Sequence, residues 1–190
     1  MIELLCHSSS HYGPRTWHNA AQGVTLAIAA DHTTAGEKLT QKASQKNGIV
    51  MVNALEFAGS WVQAARELYR ELKSRNLRTV NVAGNGIYTL NKHGISQIMM
   101  NDMVRQILHK VDEHLPLDKV VSGGQTGADF AGLVAAAKIG IPCTGLWPAG
   151  FKMRYCNGKD VNHTFEEIQT LMMSYLEDNG DPITERGTNA

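Results

Sequence analysis

The chain alternates between short, wholly apolar runs and longer stretches whose apolar positions recur with helical period. Residues 24–30 (VTLAIAA) are apolar almost throughout and end at Asp31, which predicts a strand buried on both faces. Next comes Thr33-Thr34-Ala35-Gly36-Glu37, a hydroxyl three residues ahead of an acid. This capping-box pattern opens a helix running to about Lys46. Residues 49–55 give a second strand. From Gly59 an amphipathic helix places Trp61, Ala64, Ala65, Leu68, Tyr69 and Leu72 on one side and fades over residues 74–76. Residues 78–83 read as a third strand ending at Gly84-Asn85-Gly86. A helix over 96–111 turns Ile98, Met99, Val104, Ile107, Leu108 and Val111 inward. Residues 119–122 form a fourth strand, and a glycine-rich turn leads from it into a small-residue helix over 126–139. A fifth strand over 141–146 and a last helix over about 163–176 complete the pattern.

Strands alternating with helices predict an α/β protein, because each return to a parallel strand needs a crossover helix. The expected architecture is Rossmann-like and doubly wound, a mainly parallel sheet of about five strands with helices on both faces. Residues 1–23 show no clear period and read as an irregular N-terminal segment. Residues 24–178 read as a single domain, and 179–190 as a polar C-terminal tail.

Composition narrows the classes. With 190 residues, 43% of them apolar, the chain can bury one substantial core. Its 18 basic and 18 acidic residues cancel, so no overall positive field exists to hold a polyanion, and nucleic acid is not an expected partner. Cys6, Cys143 and Cys156 are an odd set without metal-type spacing, which argues for a reducing, cytoplasmic setting. No apolar run reaches bilayer-spanning length, so no membrane association is expected. His7, His11 and His18 lack cysteine or carboxylate partners nearby, and no metal is expected. Met99, Met100, Met103, Met172 and Met173 lie on helices, as packing residues or as one face of a homo-oligomer.

Candidate chemistry concentrates after the strands, because the ligand crevice of an open parallel sheet lies beyond their carboxyl ends. The turn Ser122-Gly123-Gly124-Gln125-Thr126-Gly127-Ala128-Asp129 is the most informative. Gly123 and Gly124 permit positive φ and close backbone approach. The amides of the following helix, with its dipole, favour a phosphate. Ser122, Gln125, Thr126 and Gly127 add donors, whereas Asp129 repels phosphate and suits a ribose hydroxyl or a proton. The competing reading is a tight turn with close packing through Ala131, Gly132 and Ala135. After the fifth strand, Lys152 and Arg154 offer cations for a phosphate. After the third, Gly84, Asn85 and Tyr88 offer a close approach, an amide for a base edge and a ring for stacking. Asp31, with Glu37 at the helix start, and Glu56 are candidates for a second acid, although helix capping also accounts for Glu37 and a turn for Asp31.

Residues 122–146 (SGGQTGADFAGLVAAAKIGIPCTGL), followed by Trp147-Pro148-Ala149-Gly150, resemble the molybdenum cofactor carrier group of the SLOG superfamily. That group's motif runs close to GGQTG[AV]D, a helix, GIP and a W-x-P-x-G-like turn. The resemblance spans roughly residues 78–154. It implies a Rossmann-like fold, a nucleotide-type ligand at the glycine turn, and oligomers. Also in the superfamily are phosphoribohydrolases, which release a base from a nucleoside monophosphate and carry PGGxGTxxE, and DprA-like DNA-recombination proteins. Asp129 stands near the position of that motif's glutamate. The resulting expectation is a small-molecule nucleotide or nucleotide-derived ligand bound at the turn, with no further cofactor. Hydrolysis of its N-glycosidic bond would use Asp129, with Asp31 or Glu56 as second acid, by analogy with glycosidases. The alternatives are a carrier that captures such a ligand without turnover and, as a minor reading, a DNA-associated protein.

Overall fold

The computed structural model describes residues 1–188. The chain runs β1 (Ile2–Cys6), α1 (Tyr12–Ala20), β2 (Val24–Ala29), α2 (Ala35–Ser44), β3 (Ile49–Asn53), α3 (Phe57–Ser74), β4 (Thr79–Gly84), α4 (Ile87–Leu90), α5 (Gln97–Asp112), β5 (Lys119–Ser122), α6 (Ala128–Lys138), β6 (Cys143–Trp147), β7 (Met153–Arg154), β8 (Asp160–Val161), α7 (Phe165–Leu176) and α8 (Pro182–Thr188). Strands β1 to β6 form one sheet in the order β1-β6-β5-β4-β2-β3, every neighbouring pair parallel. Strands β7 and β8 make a separate antiparallel hairpin. The fold is thus the expected α/β, Rossmann-like arrangement, with six strands in the sheet where periodicity indicates about five.

The additional strand lies in the segment expected to be irregular. β1 is an edge strand with mostly exposed side chains, so it lacks the apolar run of a central strand. Helix α1 begins Tyr12-Gly13-Pro14-Arg15, a sequence that reads as a turn. Pro14 is tolerated because the first helical amides have no intrahelical acceptor to lose. The C-terminal tail is likewise more ordered than its polarity suggests. Ile183 of α8 is fully buried, Tyr175 Oη donates to Asp181, and Ile183 N–H donates to Tyr175 Oη. Residues 189 and 190 of that tail lie outside the described residues.

The two faces of the sheet differ in chemistry. Even-numbered residues of β2 and β4, among them Val24, Leu26, Ile28, Val80 and Val82, join the aliphatic core shared with α3, α5 and α6. α6 is buried on most sides, and Gly132 lets it seat against Val82. On the opposite face the residues are small or polar. Ser44 of α2 donates to Thr25 Oγ1, and Asn81 of β4 donates to the same oxygen, closing a buried network under α2.

This order also fixes where a crevice forms. The chain leaves β2 toward β3 at one edge and leaves β4 toward β5 in the other direction. Strands β2 and β4 are neighbours, so the space beyond their carboxyl ends is the topological switch point, where connections diverge and leave room for a ligand.

Candidate active site

A cleft of about 320 Å³ occupies that switch point. Its volume lies at the lower end of the roughly 300–1,000 Å³ usual for small-molecule sites. α1 contributes Tyr12, Arg15, Thr16 and Asn19, and the start of α2 contributes Gly36, Glu37, Leu39 and Thr40. β4 and the residues after it supply Asn81, Gly84, Gly86, Tyr88 and Thr89. The glycine turn and α6 supply Gly123, Gln125 and Asp129, and Arg154 enters from the β7–β8 hairpin.

At its centre is a buried ion pair. Arg15 Nη1 donates to Asp129 Oδ2 at 3.0 Å. The nearby backbone N–H groups of Gly84 and Gln125 also favour the ionised Asp129 carboxyl, and burial nonetheless raises its pKa above the ordinary value. Gly123 is required here, since a Cβ at that position would overlap both the Arg15 guanidinium and the Asp129 carboxylate. Arg15 is only 6% exposed, and its Nε has no hydrogen-bond partner within the protein.

Glu37 faces the same cleft. The N-cap Thr34 Oγ1 accepts from Glu37 N–H, one half of the expected capping box. The Glu37 carboxyl points into the protein instead of completing the box, and the residue is 3% exposed with Oε2 unpartnered. Burial, and then the nearby Asp129 charge, push its pKa from 4.5 up to about 7, against the opposing pull of the Asn85 amide. Two carboxyl groups with different surroundings therefore meet in one cleft, one ion-paired and one poised to hold a proton near neutrality.

The other expected residues divide between the cleft and the scaffold. Gly84, Tyr88, Gly123, Gln125 and Arg154 line the cleft, with Tyr88 exposed at its rim beneath the Lys92 ammonium, 3.8 Å from the ring centre. Ser122 is buried, its hydroxyl held between the carbonyls of Val82 and Asp129. Gly124 lies against the Trp147 ring, which leaves no room for a side chain. Thr126 Oγ1 donates to the Arg154 carbonyl. Asn85 is committed to the backbone: its Oδ1 accepts from Ala30 and Asp31 N–H, and its Nδ2 donates to the Asp31 carbonyl. It pins the end of β2 to the end of β4 instead of presenting an amide to a base. Lys152 lies with its ammonium 5.4 Å from the Tyr12 ring centre, outside the cleft lining.

The expectation of free amides is corrected for Thr126, Gly127 and Ala128. Thr126 N–H donates to Gln125 Oε1, Gly127 N–H to Gln97 Oε1 and Ala128 N–H to the Asn85 carbonyl. The Gln125 N–H favours the ionised Asp129 carboxylate. The Asp129 carboxylate thus lies beside the turn, and Arg15 and Arg154 are cationic side chains lining the cleft. Arg154 is itself paired with Asp160 across the hairpin.

The second acid also changes. Asp31 is a local turn acceptor for Thr33 N–H and Oγ1, and Glu56 is exposed in the 3-10 turn Ala54–Glu56. Neither lines the cleft. Strand order explains this: β3 is the edge strand beyond β2, so Glu56 emerges away from the switch point. Glu37 takes the place expected for them. Tyr12 and Arg15 come from the segment with no visible period, where Gly13 and Pro14 read as a turn.

Cys143 is buried in β6 and its thiol is pushed up to about 11 by burial, which makes it unreactive near neutrality. Among the described residues, no group of three or more His, Cys, Asp or Glu side chains is placed to hold a metal ion, and no helix is long and apolar enough to cross a membrane.

Comparison with known proteins gives one match. No curated protein and no solved structure matches the chain. Residues 120–170 match the sequence profile of the circularly permutated YpsA SLOG family. The matched segment runs from β5 through the glycine turn, α6 and the hairpin into α7. Over that segment the chain is similar to this SLOG family, and the parallel sheet has the Rossmann-like arrangement expected from the sequence.

Proposed function

We propose that the cleft binds a nucleotide or phosphorylated nucleotide derivative and that the protein hydrolyses the ligand's N-glycosidic bond. The observation carrying this reading is the buried Arg15–Asp129 pair beside Glu37 at the topological switch point. The SLOG match, which suggests a nucleotide-related ligand, is consistent with it. Arg15 Nε, a buried donor lacking an acceptor, is an unfavourable state worth roughly 1–3 kcal/mol that a ligand oxygen relieves. Arg154 at the mouth supplies a second positive charge, and the exposed Tyr88 ring an aromatic contact at the rim. Cleavage of a ribosyl bond passes through an oxocarbenium-like centre, and the Asp129 carboxylate is the negative charge available to stabilise it.

The test is incubation with AMP, GMP, CMP, UMP and NAD, followed by mass spectrometry. Released base supports hydrolysis. An intact ligand retained by the protein identifies instead a carrier of a nucleotide-derived molecule, such as a cofactor. Asp129→Asn, shown to be folded by circular dichroism, is expected to lose base release about a hundredfold or more while still binding. Base release undiminished in that variant contradicts the role given to Asp129.

A further inference from the structure

We infer that Glu37 is the proton donor to the departing base, and that the substrates are therefore N-glycosides with neutral bases, not pyridinium nucleotides. The inference rests on the hydrolysis proposed above and adds to it a residue and a substrate class.

Glu37 reaches the cleft from α2, while Asp129 reaches it from α6, so the two carboxyl groups come from elements on opposite faces of the sheet. The groups around Glu37 are Asp129 from α6, Asp31 after β2 and Asn85 after β4, with Arg15 of α1 lining the same cleft. Both acidic neighbours disfavour its ionised form, and the guanidinium is already engaged by Asp129. Oε2 is buried and unpartnered, and Glu37 lines the cleft a ligand enters. A carboxyl that holds a proton, borders the cleft and has a free oxygen meets the geometric and acid–base requirements of a general acid.

The step balances with water as the only co-reactant. The bond between the anomeric carbon and the base nitrogen breaks, and its electron pair goes to the base, which takes the Glu37 proton. Water then bonds to the anomeric carbon and returns a proton to the Glu37 carboxylate. The products are the free base and the ribose phosphate. An adenine, guanine, cytosine or uracil leaving group departs poorly as an anion and benefits from that proton. A pyridinium departs already neutral and gains nothing from it, which sets the substrate class.

The experiment measures ligand affinity by titration calorimetry and base release by chromatography for the wild type and Glu37→Gln. The ligands are AMP, GMP, CMP, UMP and nicotinamide mononucleotide, assayed across the neutral pH range. The wild type should release base from at least one of the first four and lose activity as pH rises through about 7. The variant should bind within about threefold of the wild type, release base about a hundredfold or more slowly, and lack that pH limb. Base release by the variant at the wild-type rate overturns the assignment of Glu37 while leaving hydrolysis intact. Preference for nicotinamide mononucleotide overturns the substrate class. Binding without release by the wild type overturns both the hydrolysis and the proton donor.

Discussion

Burying a carboxyl beside another carboxylate costs free energy that an amide of the same shape avoids, and Glu37 carries that cost for the whole chain. The sign follows from its raised pKa. An unfolded Glu37 loses its proton near 4.5 and the folded one near 7, so the stability it contributes is fully present below the lower value and is lost as pH rises to the upper. Glu37→Gln should therefore gain roughly 1–3 kcal/mol over the wild type at about pH 8 and little at about pH 4. Urea unfolding at the two pH values checks this, and an equal difference at both would show that Glu37 does not titrate as described. Asp129 has a different balance: burial raises its pKa, while Arg15 and two backbone N–H groups oppose the shift. Glu37 also shows the limit of reading residues locally. Thr34 and Glu37 announce a helix start, and the helix starts there. The carboxyl, however, is drawn to the cleft by Asn85 and by the packing of α2 on β2 and β4, which no spacing along the chain records.

Elements were legible in proportion to how fully they are buried. β2 is buried at all six positions and reads unmistakably as an apolar run, and α3 shows its apolar stripe plainly. β1 is an edge strand, so its residues carry no alternation to read, and α1 hides behind Gly13 and Pro14. Those unread elements supply Tyr12 and Arg15, half of the cleft's central chemistry. α8 was hidden in the same way, because a single apolar residue, Ile183, anchors it. Asp181 then ties the tail to α5 by accepting from Ile98 N–H, and Thr184 Oγ1 does so by accepting from Gln97 N–H. Ile183→Ala should cost about 2–4 kcal/mol in denaturant unfolding. A loss below about 0.5 kcal/mol would mean that the tail does not pack as described.

At the scale of the molecule, strand order decides which polar ends are neighbours. A sheet of parallel strands was predictable from alternation, but the order β1-β6-β5-β4-β2-β3 was not. That order sends Glu56 outward beyond the edge and brings the ends of β2, β4 and β5 together. It makes the glycine turn part of a wall: the N–H groups of Thr126, Gly127 and Ala128 are satisfied by Gln125, Gln97 and Asn85, and Gly123 packs against Arg15. The central claim is consequently about place, that a nucleotide enters between β2 and β4 and contacts the turn along Gly123, Gln125 and Asp129. Backbone amide chemical shifts recorded while AMP, GMP, CMP and UMP are titrated in test it most directly. The account predicts saturable shifts with at least one of them, concentrated at Arg15, Gly36, Glu37, Gly84, Gly86, Tyr88, Gly123 and Gln125. Shifts confined to other surfaces, or none with any of the four at millimolar concentration, would contradict it.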